Sequence, residues 1–237
     1  MKARRKYRRA FPLRAFLLFL AVSAAVVVSF ILWGDEINGW MNDAIASTDG
    51  NRMKKNLGVK NWMFPMPVLM IGTYNEDGTP NMMNAAWGGI TLEDQITICI
   101  DTSHKTWANI AARKAFTVAF GTAGTVKSCD YLGIVSGNKT PDKVAKSGLT
   151  AVKSEFVDAP VMSELPLVLE CELVSMNEEN CNVVGKIVNC GIEESAMTDG
   201  KPDADKMQPI CFDPCQHVYR LMGEVVAKAF SCGKELM

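Results

Sequence analysis

The 237-residue sequence lacks the fingerprints of the common nucleotide-binding folds. It contains no Gly-x-Gly-x-x-Gly segment, which excludes a Rossmann dinucleotide-binding domain. Residues 133–140 approach a phosphate-binding P-loop, but Asn138 stands where that motif requires its second glycine. We therefore interpret residues 133–140 as a connecting loop rather than a nucleoside triphosphate site.

An excess of basic charge is missing from most of the chain. From residue 53 onward, 17 Lys and Arg face 22 Asp and Glu, which gives a net charge of −5 and argues against nucleic-acid binding. The beginning of the chain is different, because seven cations precede the first acidic residue, Asp35. The charge is therefore distributed unevenly between a basic start and an acidic remainder.

A paired metal-binding motif is also missing. Cys211, Cys215 and His217 form the one cluster with metal character, and no second Cys or His pair with zinc-type spacing accompanies them. We therefore predict no metal site. The chain has eight cysteines, several within apolar strand-like runs, and a domain of this size needs no disulfides. We expect reduced thiols.

What the sequence does contain is a series of short strand patterns. We predict strands over residues 67–74, 81–87, 95–101 and 115–120, with residues 75–78 as the turn of a first hairpin. We predict a second hairpin from the strand-like runs over residues 167–176 and 182–192. Short helices are predicted over residues 126–132, 141–148 and 224–230, the last ending near Gly233. Mostly short strands favour a β-barrel.

A polar cluster precedes the first helical pattern, which begins at Trp107. A helix N-terminus offers unpaired N–H groups and the positive end of the helix dipole, and Ser103, Lys105 and Thr106 would add hydroxyl donors and charge for a phosphate. The alternative is that Thr102 or Ser103 is an ordinary N-cap and Lys105 is solvated. The residues alone leave both interpretations open.

Six blocks in the same order resemble the flavin reductase-like family, specifically its flavoredoxin branch, from about Met53 to the C-terminus. The blocks are PMPVLMIGTYNEDGTPNMMNAAWGGI, SHKTWANI, DYLGIVSGN, PDKVAKSGLT, VDAPVMSELPLVLECEL and HVYRLMGEVVAKAF. The resemblance implies a mainly β (α+β) fold, an FMN-binding split β-barrel with short flanking helices. It also implies a homodimer with the flavin near the subunit interface.

The resemblance assigns the cofactor contacts to two segments. Asn84, Ala85, Ala86 and Trp87 would line the flavin ring, although Trp87 could equally be a core aromatic residue. The ribityl phosphate would bind Ser103, His104, Lys105 and Thr106, with Asn109 as a weaker member. No catalytic acid or base is identifiable, and hydride transfer requires none.

The resemblance implies an NAD(P)H:flavin oxidoreductase that passes electrons from NADH or NADPH through FMN to free flavin, a metal ion or a partner protein. One alternative is a flavoredoxin-like electron carrier without nicotinamide activity. Another is a non-enzymatic flavin- or haem-binding barrel, because a fold alone does not settle function.

Residues 15–33 are nineteen uncharged, mostly apolar residues, long enough to span a bilayer. With the preceding cations they predict a signal-anchor that keeps residues 1–14 in the cytoplasm. Alternatively, residues 1–52 are an upstream extension from a mis-assigned start, because the segment beginning at Met53 resembles the natural start of family members. We expect a linker over residues 35–52, a domain over residues 53–237, and a cytoplasmic location, with membrane anchoring as the alternative.

Overall fold

The computed structural model describes residues 54–237. Contacts divide the chain after Lys60, and the strands and helices described below lie in the unit Asn61–Met237. Within residues 54–237, no helix is long and apolar enough to cross a membrane. The predicted anchor over residues 15–33 and the predicted linker over residues 35–52 lie outside the described residues.

The described part of the chain is mainly β, with short helices between strands. The strands are β1 (Met66–Pro67), β2 (Leu69–Tyr74), β3 (Pro80–Ala85), β4 (Gly88–Leu92), β5 (Gln95–Cys99), β6 (Ala115–Phe120), β7 (Ala151–Lys153), β8 (Pro160–Met162), β9 (Leu167–Asn177), β10 (Asn182–Ile192), β11 (Met197–Thr198), β12 (Lys201–Pro202), β13 (Ile210–Asp213) and β14 (Val218–Leu221). The α-helices are α1 (Lys105–Arg113), α2 (Val126–Ile134), α3 (Lys143–Ser147) and α4 (Ala204–Met207). Short 3-10 turns cover Ala123–Thr125, Glu194–Ala196 and Cys232–Leu236.

One seven-stranded sheet dominates the fold, in the order β3-β2-β6-β9-β10-β5-β4, and every neighbouring pair in it is antiparallel. A second sheet has the order β1-β13-β14, and two further sheets pair β7 with β8 and β11 with β12. This arrangement confirms the mainly β split-barrel expectation. It also confirms both predicted hairpins, β2-β3 and β9-β10.

The central strands are buried on both faces, which explains why their sequences are almost continuously apolar. In β2, Leu69 and Ile71 belong to one core and Met70 to the other. The first core packs the sheet against Trp107 and Ile110 of α1. The second core packs the opposite face against apolar side chains of α2 and α3. Helices α1 and α2 are therefore held to the sheet by burial of their apolar sides.

Two irregularities curve the long β9-β10 hairpin. The pairing register shifts between Val184 and Gly185 and again between Ile187 and Asn189. Such bulges bend the strand and increase its twist. At the first, a Cβ on Gly185 would lie only 2.4 Å from Cζ of Phe116, so the aromatic ring occupies the space of the missing side chain. The glycine thus permits the ring to pack against the strand.

Two helical predictions were close to the structure and one was wrong. Helices α2 and α3 lie where residues 126–132 and 141–148 predicted them. Residues 224–230 do not form the predicted terminal helix, and the chain instead makes a 3-10 turn at Cys232–Leu236. Val225 is 90% exposed and Phe230 99% exposed. Since so short a helix is marginal in water unless its apolar side is buried, the pattern alone could not stabilise it.

Strand β4 was missed by the sequence prediction. It begins with Gly88 and Gly89, and glycine is among the residues least favoured in strands. Pairing with β5 nevertheless places it at the edge of the large sheet. The strand exists because of this tertiary pairing rather than because of its own composition.

Candidate functional site

The predicted polar cluster lies at the beginning of α1, immediately after β5 and the turn that follows it. The helix starts at Lys105 with His104 as the N-cap, one residue later than an N-cap at Ser103 would place it. The His104 side chain makes no capping hydrogen bond, and the first turn carries no acidic residue. The N–H of Trp107 donates to the carbonyl oxygen of His104 at 3.1 Å, so the N–H groups of Lys105 and Thr106 are left for another acceptor. The helix dipole favours an anion there.

A buried hydrogen-bond network anchors this helix to β2 and β3. The amide Nδ2 of Asn81 donates to Oγ1 of Thr73 at 3.1 Å and to Oγ1 of Thr106 at 2.9 Å. From α1, Nδ2 of Asn109 donates to Oγ1 of Thr73 at 3.1 Å and to Oδ1 of Asn75 at 3.0 Å. Since buried polar groups are costly to leave unpaired, this network fixes the position of the helix start.

The loop after α2 forms the opposite wall of a groove above this helix start. The side-chain amide of Asn138 donates to the carbonyl oxygen of Ser103 at 2.9 Å and joins the two walls. The groove has a volume of about 370 Å³. We call it the α1 groove, and its lining residues are Asn81, Met83, Ser103, His104, Lys105, Thr106, Leu132, Gly133, Ile134, Val135, Ser136, Gly137, Asn138, Lys139 and Lys143.

The lining of the α1 groove is cationic. It contains three lysines, a histidine and several hydroxyl groups, and none of its residues is Asp or Glu. The Thr106 hydroxyl accepts from Asn81, so its own hydrogen remains available for donation. Hydrogen bonds between charged partners are about twice as strong as neutral ones. The groove can therefore hold a small dianion such as a phosphate.

One predicted phosphate donor already has an acceptor. Both the hydroxyl and the backbone N–H of Ser103 donate to Oδ1 of Asp101, at 2.6 Å and 2.9 Å. These hydrogen bonds lower the pKa of Asp101, which is therefore ionised near neutral pH. The Ser103 hydroxyl would have to exchange this carboxylate for a phosphate oxygen.

The structure thus brings the second predicted segment together in one groove. Ser103, His104, Lys105 and Thr106 all line it, whereas Asn109 lies beneath it, with its amide committed to Thr73 and Asn75. The groove also contains residues of the 133–140 loop and Lys143, which the sequence did not indicate. The structure has a loop over residues 135–140, whereas Gly133 and Ile134, which were predicted to belong to it, end helix α2. The place of the loop in a site depends on the packing of α2 against β3.

The first predicted segment, residues 84–87, does not line the α1 groove. Asn84 faces α2, where its Nδ2 donates to the carbonyl oxygen of Cys129 at 3.4 Å. Ala85 is buried in the core, and Trp87 is 53% exposed beyond the end of β3. Trp87 is therefore not a core aromatic residue in the described chain. Its indole is available to a ligand or to another chain.

Tyr219, in the sequence block HVYRLMGEVVAKAF, lies beside Asn84 and joins β14 to α2. The hydroxyl of Tyr219 donates to Oδ1 of Asp130 at 2.8 Å. Burial raises the pKa of Tyr219 to about 12, and the hydrogen bond to Asp130 adds to this increase. Tyr219 is therefore protonated at neutral pH and serves as a fixed donor. Tyr219 also packs against the second core, so β14 lies against the barrel.

The remaining singled-out residues lie apart from the α1 groove. His217 lies in the turn between β13 and β14 with φ of 54°, and its ring stacks on Phe212 with centroids 6.5 Å apart. The cysteines at 99, 129, 171, 181, 190, 211, 215 and 232 are all unpaired thiols. Within residues 54–237, no cluster of three His, Cys, Asp or Glu side chains could hold a metal ion.

The antiparallel seven-stranded sheet defines a split β-barrel protein, and the α1 groove is a cationic cleft in it. The model of the flavin reductase like domain matches residues 61–205. The chain belongs to the flavin reductase-like family, and within it to the flavoredoxin branch. This confirms the resemblance drawn from the six sequence blocks.

Solved structures support the same assignment. A flavoredoxin of Desulfovibrio vulgaris (Miyazaki F) is 39% identical, with a TM-score of 0.74 over 77% of this chain and 100% of that chain. A flavoredoxin from Methanosarcina acetivorans is 30% identical, with a TM-score of 0.70 over 78% of this chain and 100% of that one. An FMN-binding domain of a flavin reductase-like enzyme from Shewanella baltica is 16% identical, with a TM-score of 0.63 over 68% of this chain and 88% of that chain, a likeness in fold alone.

Proposed function

We propose that this protein binds FMN and transfers electrons through it, with the cofactor phosphate in the α1 groove. The observation that carries the proposal is the composition of that groove. It joins an uncapped helix N-terminus to three lysines and several hydroxyls without any acidic lining residue. These donors fit a phosphate monoester, which carries close to two negative charges at neutral pH.

The chemistry of hydride and electron transfer belongs to the isoalloxazine ring of FMN when it is bound. The chain's part is to bind and orient. Thr106 and the N–H groups of α1 would donate to the phosphate, while Lys105 and Lys139 would neutralise it. The segment Asn84–Trp87 would lie along the ring, with backbone groups near its polar edge. No side chain is assigned a proton-transfer step.

We further propose that the protein is a homodimer formed through the edge strand β4. Exposed apolar side chains lie along it, since Ile90 is 61% and Leu92 58% exposed, and Trp87, the residue before the strand, is 53% exposed. Such a patch at a sheet edge is typical of an interaction site. Ile90→Lys should give a monomer by light scattering, whereas Val152→Lys, on the separate sheet β7-β8, should leave the wild-type dimer intact.

For the electron source, we propose NADH or NADPH, with free flavin, a metal ion or a partner protein as acceptor. This places the domain where reduced nicotinamide is available, in the cytoplasm. A second function has specific support from the 39% and 30% identity to two flavoredoxins. In that case the protein is an FMN electron carrier that exchanges electrons with a partner protein and has no nicotinamide activity.

Anaerobic reduction distinguishes the two functions. The purified protein is loaded with FMN, and its visible spectrum is recorded after NADH, after NADPH and finally after dithionite. Bleaching by either nucleotide supports the reductase. A flavin spectrum that persists until dithionite supports the electron carrier, and failure to take up FMN contradicts both.

A further inference from the structure

A lysine that the sequence did not single out lies buried beside the α1 groove. Lys143, the first residue of α3, is only 3% exposed. Its Nζ donates to the carbonyl oxygens of Leu132 at 3.0 Å and Val135 at 2.8 Å, at the C-terminal end of α2. The ammonium group therefore lies directly behind the loop that forms one wall of the groove.

This ammonium has no counter-charge among the described residues. Its neighbour Asp142 pairs instead with Lys146, at 3.0 Å, and no carboxylate in residues 54–237 forms an ion pair with Lys143. A buried charge without a partner is expensive. The cost is visible in the pKa of Lys143, which burial lowers from 10.5 to about 8.

The ammonium also retains unused hydrogen-bonding capacity. An ammonium group has three N–H donors, and two of them are used by the carbonyl oxygens of Leu132 and Val135. One N–H donor therefore remains. Lys143 lines the α1 groove together with Lys105 and Thr106. A dianion in the groove would supply the negative charge that the protein itself does not provide.

We propose that Lys143 is a buried cation of the α1 groove, whose protonation is coupled to binding of the FMN phosphate. The proposal rests on the proposed function and adds a residue to it. The phosphate favours the ammonium form, so binding is accompanied by proton uptake by Nζ at alkaline pH. Conversely, loss of that proton weakens phosphate binding.

The titration of Lys143 must be distinguished from that of other ionisable groups nearby. Helix α2 carries Lys127, Cys129, Asp130 and Tyr131, and β3 carries none. On its own helix Lys143 has Lys146, with Asp142 as the N-cap, and the loop carries Lys139. His104 and Lys105 lie on the far side of the groove. Among these groups, burial raises the pKa of the Cys129 thiol and so keeps it protonated further into the alkaline range.

A purely structural role is the competing explanation, because a lysine at a helix C-terminus can simply cap its carbonyls. A cap would affect the stability of α2 but would not distinguish FMN from riboflavin, which has the same ring and lacks the phosphate. The ratio of the two affinities, followed against pH, therefore isolates the phosphate from effects on the ring or on the fold.

The test is a titration of the purified wild-type protein and of Lys143→Met with FMN and riboflavin from pH 7 to pH 9.5. In the wild type we expect the preference for FMN over riboflavin to fall as the pH rises and Lys143 loses its proton. The total fall should be about tenfold if the bound phosphate raises the pKa of Lys143 by one unit. We expect the preference to be weaker and independent of pH in Lys143→Met. Lys127→Met, an exposed lysine on α2, should behave as the wild type.

Calorimetry of the wild type gives a second measurement that needs no variant. FMN titrated at pH 8.5 in two buffers of different ionisation enthalpy should show uptake of a fraction of a proton, and riboflavin should show none. A pH-independent preference for FMN in the wild type, or equal proton uptake with both flavins, overturns the role of Lys143 but leaves FMN binding intact. Absence of binding by both flavins overturns the proposed function and this inference together.

Discussion

Replacing Gly137 with alanine tests whether the two walls of the α1 groove must approach as closely as they do. A Cβ at this position would lie 2.5 Å from Oδ1 of Asn81 and 3.1 Å from Cβ of Lys105. The first distance is well below any normal contact, so either the Asn81 side chain or the loop must move. Gly137 is not among the residues with positive φ, so the effect is steric rather than conformational.

The magnitude follows from what holds Asn81. Its side chain is 2% exposed, and its Nδ2 donates to Thr73 and Thr106. Displacing it would weaken two buried hydrogen bonds, each with a net value of about 1 kcal/mol, so we expect a total loss of about 1–2 kcal/mol. If the loop moves instead, a similar energy is lost from phosphate binding, equivalent to about 5- to 30-fold in affinity.

The assay combines urea unfolding of the apoprotein with FMN titration of Gly137→Ala. The matched control is Gly124→Ala, because a Cβ there would meet only Oγ1 of Thr122 at 3.9 Å, an ordinary contact. We expect the control to match the wild type in FMN affinity. If Gly137→Ala leaves both the stability and the FMN affinity unchanged, the groove is not held together as described.

Three further predictions concern individual residues. Lys105→Ala should weaken FMN binding by about 10- to 100-fold through loss of a charged hydrogen bond, with little change in riboflavin binding or in the thermal unfolding temperature. Asn109→Ala should destabilise the apoprotein by about 1–3 kcal/mol in urea, because Thr73 and Asn75 lose a buried donor, and should reduce the preference for FMN over riboflavin less than Lys105→Ala. For Lys143, whose pKa falls to about 8 on folding, the native state binds fewer protons than the unfolded state between pH 8 and 10.4. The unfolding free energy of the wild-type apoprotein should therefore rise relative to Lys143→Met by about 2–3 kcal/mol across that range, and a constant difference would contradict this assignment.

The strands that the sequence predicted best are those in which an apolar composition coincides with burial in the core. β6 was located correctly because its apolar residues serve two cores at once, with Phe116 in one and Ala119 in the other. β4 was missed because its initial glycines carry no strand signal and only pairing with β5 orders it. The tail over residues 224–230 has a helical pattern, yet nothing in the described chain covers its apolar side chains.

The candidate site was predictable to the extent that it is local. Lys105 and Thr106 follow a strand and begin a helix, and that order is visible in the sequence. Lys143 and Gly137 gave no comparable signal, because they reach the groove only through the packing of α2 and α3 against β3. Lysines are ordinarily exposed, so a buried one cannot be recognised before the fold is known.

The proposed binding of FMN through its phosphate in the α1 groove can be tested without any variant. Its most direct test is to incubate the purified protein with FMN or with riboflavin, remove unbound flavin by gel filtration and record the visible absorption of the protein fraction. We expect FMN to elute with the protein at close to one per chain and riboflavin to be largely lost. A colourless protein after both incubations, or equal retention of the two flavins, would contradict it.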